Sequence, residues 1–313
     1  VREGEGPTEL QFLNVWQIFG DRITATDVAA GVEIHPYGDS IRPLTIAQPP
    51  GAEEDELFGV AIPMAWFEDG SYLQAMMPNL MELESGLQSP PMTYHRMSRE
   101  GEHLGEVASV PLGSFHVKGP RDFSPVPFVP PGMLVTAGTA MYEAFPDSSF
   151  EWRRRRADGS LEMVVRLPLE GDEITEAFIT RTIERQVEML EGLDFPAGML
   201  ANAREEIEAG FRGPGVPDRA ALFLALRVTE SGHVLAELPD WEVRATSQET
   251  VMSGVDDDVS IAFAVFDPEG RWLGTLEAPA GLAVTDVTDE VILGVRKDDF
   301  DVAYVERWPI LKP

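Results

Sequence analysis

The chain has no cysteine. That excludes disulfides, thiolate nucleophiles and Cys-ligated zinc. It leaves the compartment open, because a chain of 313 residues buries roughly 75% of its unfolded surface and needs no covalent bridges. Basic residues are scarce, with 24 Lys and Arg against 54 Asp and Glu, a net charge of −30. Such a surface repels nucleic-acid phosphates and anionic lipid unless a basic patch is set apart, so no nucleic-acid partner is expected. No run of about 18 apolar residues occurs, so no transmembrane segment is expected within these residues. The chain also lacks a Gly-x-Ser-x-Gly elbow, a Walker loop and a dinucleotide fingerprint. Gly4, Gly6 and Pro7 resemble a phosphate loop only superficially, since Glu3 and Glu5 would repel the phosphate. Val1 to Pro7 carries neither an initiator Met nor an apolar signal core, and reads as the middle of a phrase.

What is present is a β rhythm. Hydrophobic residues make up 43% and tryptophans number six, which marks a folded body. Short apolar runs are broken by Gly and Pro. One class of hairpin has its tip at Gly38, Gly101, Gly159 and Gly270, each followed by a proline stop. The first two intervals are 63 and 58 residues, and the last, 111, is near twice as long. A second class turns near Asp21, Gly70 and Gly232, with a weaker member near Gly132. An inner hairpin followed by an outer one, repeated through the chain, predicts four-stranded blades. Leu161, Met163, Val165 and Leu167 share one strand face. Ile261 to Phe266 is apolar throughout, as a strand covered on both faces should be.

Asp172 to Phe211 breaks the rhythm. Ile174, Phe178, Ile183, Val187 and Leu190, then Met199, Ala203, Ile207 and Phe211, have helical spacing. Asp172 is the expected N-cap. Gly192 and Pro196 split the pair, and Gly213-Pro214-Gly215 ends it. The spacing predicts a two-helix insertion at about 172–212. Its apolar stripe, with Phe178, Ile183, Val187, Leu190 and Phe211, either caps the host body or grips a partner.

Few residues point to chemistry. Of His35, His95, His103, His116 and His233, no pair has the spacing of a helical zinc site. His35, His103 and His233 fall on hairpins, where a solvent-facing ring is the ordinary expectation. The acidic runs at 53–56, at 256–258, and at Asp298, Asp299 and Asp301 lack the ligand spacing of a calcium loop. The Met-rich stretch 74–84 suits packing between blades or an adaptable contact surface. Arg153-Arg154-Arg155-Arg156 stands out against the acidic background and could dock a carboxylate-rich partner or lipid headgroups. With a two-residue turn at Asp158-Gly159, Arg155 would face Glu162, and the four charges would split two and two between the sheet faces. No catalytic, cofactor or metal residue is assigned.

The phrases "REGEGPTEL" (2–10), "GDRI" (20–23), "VFDPEGRWLGTLEAPAG" (265–281) and "VILGVRKDDFDVAYVERW" (291–308) resemble bacterial six-bladed β-propellers of the NHL-like kind. The resemblance implies one all-β propeller domain over 1–313, with an incomplete N-terminal blade and the helical insertion inside it. It also implies secretion, hence an extracytoplasmic place. The function expected is a non-enzymatic interaction or structural module, an extrinsic accessory subunit of a larger membrane-associated complex such as a respiratory or photosynthetic one, without cofactor. Two alternatives stay open: a lactonase-like hydrolase with a metal in its central channel, and a carbohydrate or peptide binder.

Overall fold

The computed structural model describes residues 2–3, 9–10, 15–19, 22–26, 30–35, 40–50, 61–119, 122–145, 147, 149–191, 197–239, 260–298 and 302–311. Before residue 46, side chains are described only for 23–25. The expected turns at Gly38 and Asp21, the Gly4–Pro7 loop, the acidic runs 53–56 and 256–258, and Gly192, Pro196, Asp299 and Asp301 lie outside these residues, as does the side chain of His35.

Two short strands, β1 (Arg2–Glu3) and β2 (Glu9–Leu10), pair in parallel. The first blade is β3 (Val15–Phe19), β4 (Arg22–Thr26), β5 (Ala30–His35) and β6 (Ser40–Thr45), an antiparallel meander. Next come β7 (Ala61–Trp66), β8 (Tyr72–Met76), the short β9 (Gly86–Gln88), β10 (Pro91–Met97) and β11 (His103–Pro111). The second blade has the order β7-β8-β10-β11. β9 instead joins β12 (Phe115–Gly119) and β13 (Asp122–Pro125) in a small three-stranded sheet. The third blade runs β14 (Met133–Ala137), β15 (Ala140–Ala144), β16 (Ser149–Arg156), β17 (Leu161–Glu170). Helices α1 (Glu176–Glu191) and α2 (Ala197–Phe211) follow. The fourth blade is β18 (Ala225–Val228), β19 (Val234–Leu238), β20 (Ala262–Phe266), β21 (Trp272–Glu277). The fifth has three strands, β22 (Ala283–Val287), β23 (Val291–Lys297) and β24 (Ala303–Pro309).

The first strand of each blade touches the first strand of the next: β3 with β7, β7 with β14, β14 with β18, and β18 with β22. Sheets whose leading strands stand side by side radiate from a common axis, which is the β-propeller arrangement. The described residues supply five blades, and the sixth that the resemblance implies is not among them.

Hydrophobic burial between neighbouring blades holds the wheel together. Leu73, Tyr94 and Val110 of the second blade meet Leu134 and Met141 of the third. Phe150 and Trp152 of the third meet Val234 and Phe266 of the fourth. Phe263 of the fourth meets Leu282, Val284 and Ile292 beside and within the fifth. β20 shows why its sequence is apolar throughout: Phe263 packs toward the fifth blade, while Ala264 and Phe266 pack toward the third. On β17, Met163, Val165 and Leu167 face the same interface, and Leu161 lies exposed at the strand end.

Five hairpins repeat one turn. At Gly70, Gly101, Gly159, Gly232 and Gly270, the glycine N–H donates to the carbonyl three residues back, and that earlier residue donates to the carbonyl just after the glycine, at 2.7–3.0 Å. Each glycine has φ between 80° and 88°. This is a type I turn closed by a left-handed residue, the three-residue hairpin with its bulge. It corrects the two-residue turn expected at Asp158-Gly159, because Arg155 pairs with Leu161 and not with Glu162. The hairpin expected at Gly132 turns instead between Ala137 and Ala140, while Gly132 N–H donates to the Pro111 carbonyl.

The helix pair is where its periodicity places it, with one correction at the start. Thr175, not Asp172, caps α1: its Oγ1 accepts from Phe178 N–H at 3.2 Å. The Asp172 carbonyl is engaged elsewhere, accepting from Ala220 N–H. Among the described residues no helix is long and apolar enough to cross a membrane.

Candidate functional site

The two ends of the wheel differ. In an up-and-down blade, the turns joining strands one to two and three to four fall at one end. The connections from strand two to three, and from one blade to the next, fall at the other. The first end carries the five tight glycine turns. The second carries every elaboration of the blades among the described residues: β9, the β12–β13 pair, the segment 126–132 and the helix pair. A propeller body folds without such additions, so their end is the candidate functional surface.

These additions form one rigid cap. Phe128, buried and with φ of 61°, packs its ring 5.3 Å from both Phe178 and Phe211. Ile183, Val187, Ala220, Ala221 and Leu224 complete that core. A non-glycine residue in the left-handed region costs about 1–3 kcal/mol and persists only where its surroundings enforce it. Here the two helices do so. The small sheet joins the same body, for a β-carbon at Gly213 would come within 3.3 Å of His116 Nε2, and one at Gly215 within 2.8 Å of Leu87. Of the stripe considered for partner binding, Ile183, Val187 and Phe211 are buried in this core, and Phe178 and Leu190 are half-buried. Ile183, Val187 and Phe211 thus pack against the host, and the helices turn Glu184, Glu188, Glu191, Glu205 and Glu206 to solvent.

The arginine tetrad is fully engaged in ion pairs. Arg153 and Arg155 bind the buried Glu143 from one face of the sheet. Arg154 and Arg156 pair with Glu162 on the other. The expected two-and-two division is what the ion pairs show, although Glu162 meets the other two arginines, because the turn carries an extra residue. Arg154 also donates to the Pro268 carbonyl at 2.9 Å, tying the third blade to the fourth.

Ser231, His233 and Asp289 come together at the glycine-turn end. Ser231 Oγ lies 2.6 Å from both His233 Nδ1 and Asp289 Oδ1, and Nδ1 lies 3.0 Å from the same Oδ1. A hydrolytic triad needs serine and aspartate on opposite nitrogens of the ring. Here both use Nδ1, so the arrangement is not that of a triad, and it clasps the fourth blade to the fifth. Burial raises the Asp289 pKa, but the hydrogen bonds from Ser231 and Thr229 and the nearby His233 outweigh it and hold the carboxyl below its usual range.

A histidine pair lies on the β10–β11 hairpin. His95 Nδ1 and His103 Nε2 are 3.1 Å apart. Burial, then His103, push the His95 pKa down, against the opposing pull of Glu106. His95 is 7% exposed, whereas His103 faces solvent as expected of a hairpin histidine, and His233 is half-buried. The signal in the sequence was "HRMSREGEH" (95–103), two histidines flanking a glycine-turn hairpin. Among the described residues no three His, Asp or Glu side chains are gathered as they stand into a metal site.

No protein-family model and no curated protein matches the chain. Solved structures similar to it include a member of the DUF4221 family from Bacteroides vulgatus, 11% identical, with a TM-score of 0.48 over 98% of this chain and 80% of that one. A gluconolactonase from Xanthomonas campestris is 12% identical, with a TM-score of 0.36 over 96% of this chain and 72% of that one. Kluyveromyces lactis Hsv2 is 12% identical, with a TM-score of 0.33 over 94% and 72%. At these values the likeness carries nothing about activity, and the propeller assignment rests on the strand order and the contacts between leading strands.

Proposed function

We propose that this propeller is a non-enzymatic interaction module whose working surface is the capped end. In this reading it is an NHL-like, extracytoplasmic protein and an extrinsic subunit of a larger membrane-associated assembly. The observation that supports it is the one-sided placement of β9, β12, β13 and the helix pair, with the helices sharing a core around Phe128, Phe178 and Phe211. A preformed cap loses little conformational entropy on docking. Its outward glutamates suit a partner with a basic patch, recognised more strongly at low salt.

The test is co-purification from the native source at two salt concentrations. Wild-type chain is compared with Glu184→Lys/Glu188→Lys on the cap and with Glu100→Lys/Glu102→Lys at the opposite end. The cap variant should lose the partner, and the control should keep it. A chain that captures nothing specific and instead turns over an ester or lactone would contradict the reading.

A further inference from the structure

The β10–β11 hairpin carries a polar cluster that lies outside the apolar cores of the blades and the cap among the described residues. Its pairing is irregular twice, between Arg96 and Met97 and between Tyr94 and His95. Each shift adds one residue to β11, first Leu104 and then Val107. Residues 103 and 106 are three apart, so a regular strand would send their side chains to opposite faces. The bulge at Leu104 cancels that. His103 stands opposite Met97 and Glu106 opposite His95, so His95, His103 and Glu106 share one face of the hairpin. Bulges re-aim side chains in this way beside functional sites.

His95 Nδ1 and His103 Nε2 face each other at 3.1 Å, with ring centroids 5.2 Å apart. Two imidazoles held at about 2.0–2.1 Å by one tetrahedral metal ion would have nitrogens about 3.3 Å apart, so a shift of a few tenths of an ångström suffices. A hydrogen bond between the rings leaves His95 Nε2 buried without a partner among the described residues. Opposite it in the β8–β10 register is Gln74, fully buried, with both amide atoms unpartnered among the described residues. A metal on Nδ1 fixes the ring proton on Nε2, and the Gln74 amide oxygen is an acceptor on the same face, the second-shell support that ligating histidines take. Glu106 is exposed, so a rotation of its side chain can bring the carboxylate in as a third ligand.

We propose that His95, His103 and Glu106 form a binding site for a divalent transition ion of the imidazole-preferring class, with water completing the shell. The site lies on the outer strands of the second blade, away from the leading strands that line the axis. Its test is calorimetric titration of the tag-free chain with Zn²⁺ at neutral pH. One saturable equivalent is expected. His103→Asn, at an exposed position, should weaken it by at least about tenfold, and Glu106→Gln by about tenfold. His233→Asn, a half-buried histidine in the fourth blade, should leave it unchanged. Titration without a saturable equivalent, or affinity indifferent to His103→Asn, would overturn the proposal.

Discussion

The two ends of the wheel are built from different economies of chain. At one end, five hairpins close with the same glycine turn, and the blades are tied together by short polar clasps such as Thr229, Ser231 and His233 on Asp289. At the other, the chain departs from the blade three times and returns, building a core of its own around Phe128. The blades need the first end to keep their registers. The second end adds nothing that a blade requires, and it is the surface on which the docking role proposed above rests.

The sharpest contrast is between the wheel and its cap. Trp152→Ala empties the interface between the third and fourth blades and should cost about 3–5 kcal/mol, seen as a lower midpoint of the global transition in chemical denaturation. Phe211→Ala makes a similar cut in the cap. It should release α1 and α2 to hydrogen exchange while the blade strands stay protected. Loss of protection throughout the blades in that variant would erase the distinction.

Within the glycine-turn end, identical turns should differ in tolerance. A β-carbon at Gly270 would sit 2.5 Å from Val165 Cγ2, with Met163 Sδ at 3.2 Å, whereas one at Gly70 meets only the flexible Arg99 side chain at 3.2 Å. Gly270→Ala should therefore cost about 2–4 kcal/mol, combining backbone strain with overpacking. Gly70→Ala should cost about 1–2 kcal/mol from strain alone. Equal losses in thermal melts would show that packing around the turn is irrelevant.

Smaller effects concern titration. Asp289→Asn should cost about 0.5–1.5 kcal/mol near neutral pH by weakening the clasp. The Asp289 pKa is lowered on folding, so its contribution is full above about pH 3.9 and is lost as pH falls through the folded value. His95 behaves with the opposite charge. The folded protein resists its protonation, so stability should be full above about pH 6.5 and decline from there down to the lower folded value. Denaturation of the metal-free chain across that window, with His95→Gln as the flattened reference, measures the effect.

Local chemistry was legible in the sequence, and distant pairings were not. The Asp-Gly and Glu-Gly tips announced hairpins at Gly70, Gly101, Gly159 and Gly270, because a left-handed residue is needed there. The apolar run at 261–266 announced a doubly covered strand, and helical spacing announced α1 and α2. Register was hidden, since a bulge adds a residue without marking the sequence, and so Arg155 was set against Glu162. The cap at Thr175 was missed because Asp172, equally suited by type, is used by the strand-like contact with Ala220. The gathering of β9 with β12 across some 30 residues of chain, and of Ser231 with Asp289 between blades, depends on packing that no short window contains. The His95–His103 pair was half legible: its hairpin was read, but the bulge that places both rings on one face was not.

The most direct measurement is hydrogen exchange, read by mass spectrometry, on the chain alone and with the partner that the proposed role requires. Added protection is expected at the capped end, in residues 86–88, 122–132 and 176–191. Protection confined to the glycine turns around Gly70, Gly101, Gly159, Gly232 and Gly270, with the cap unchanged, would contradict the assignment of the working surface.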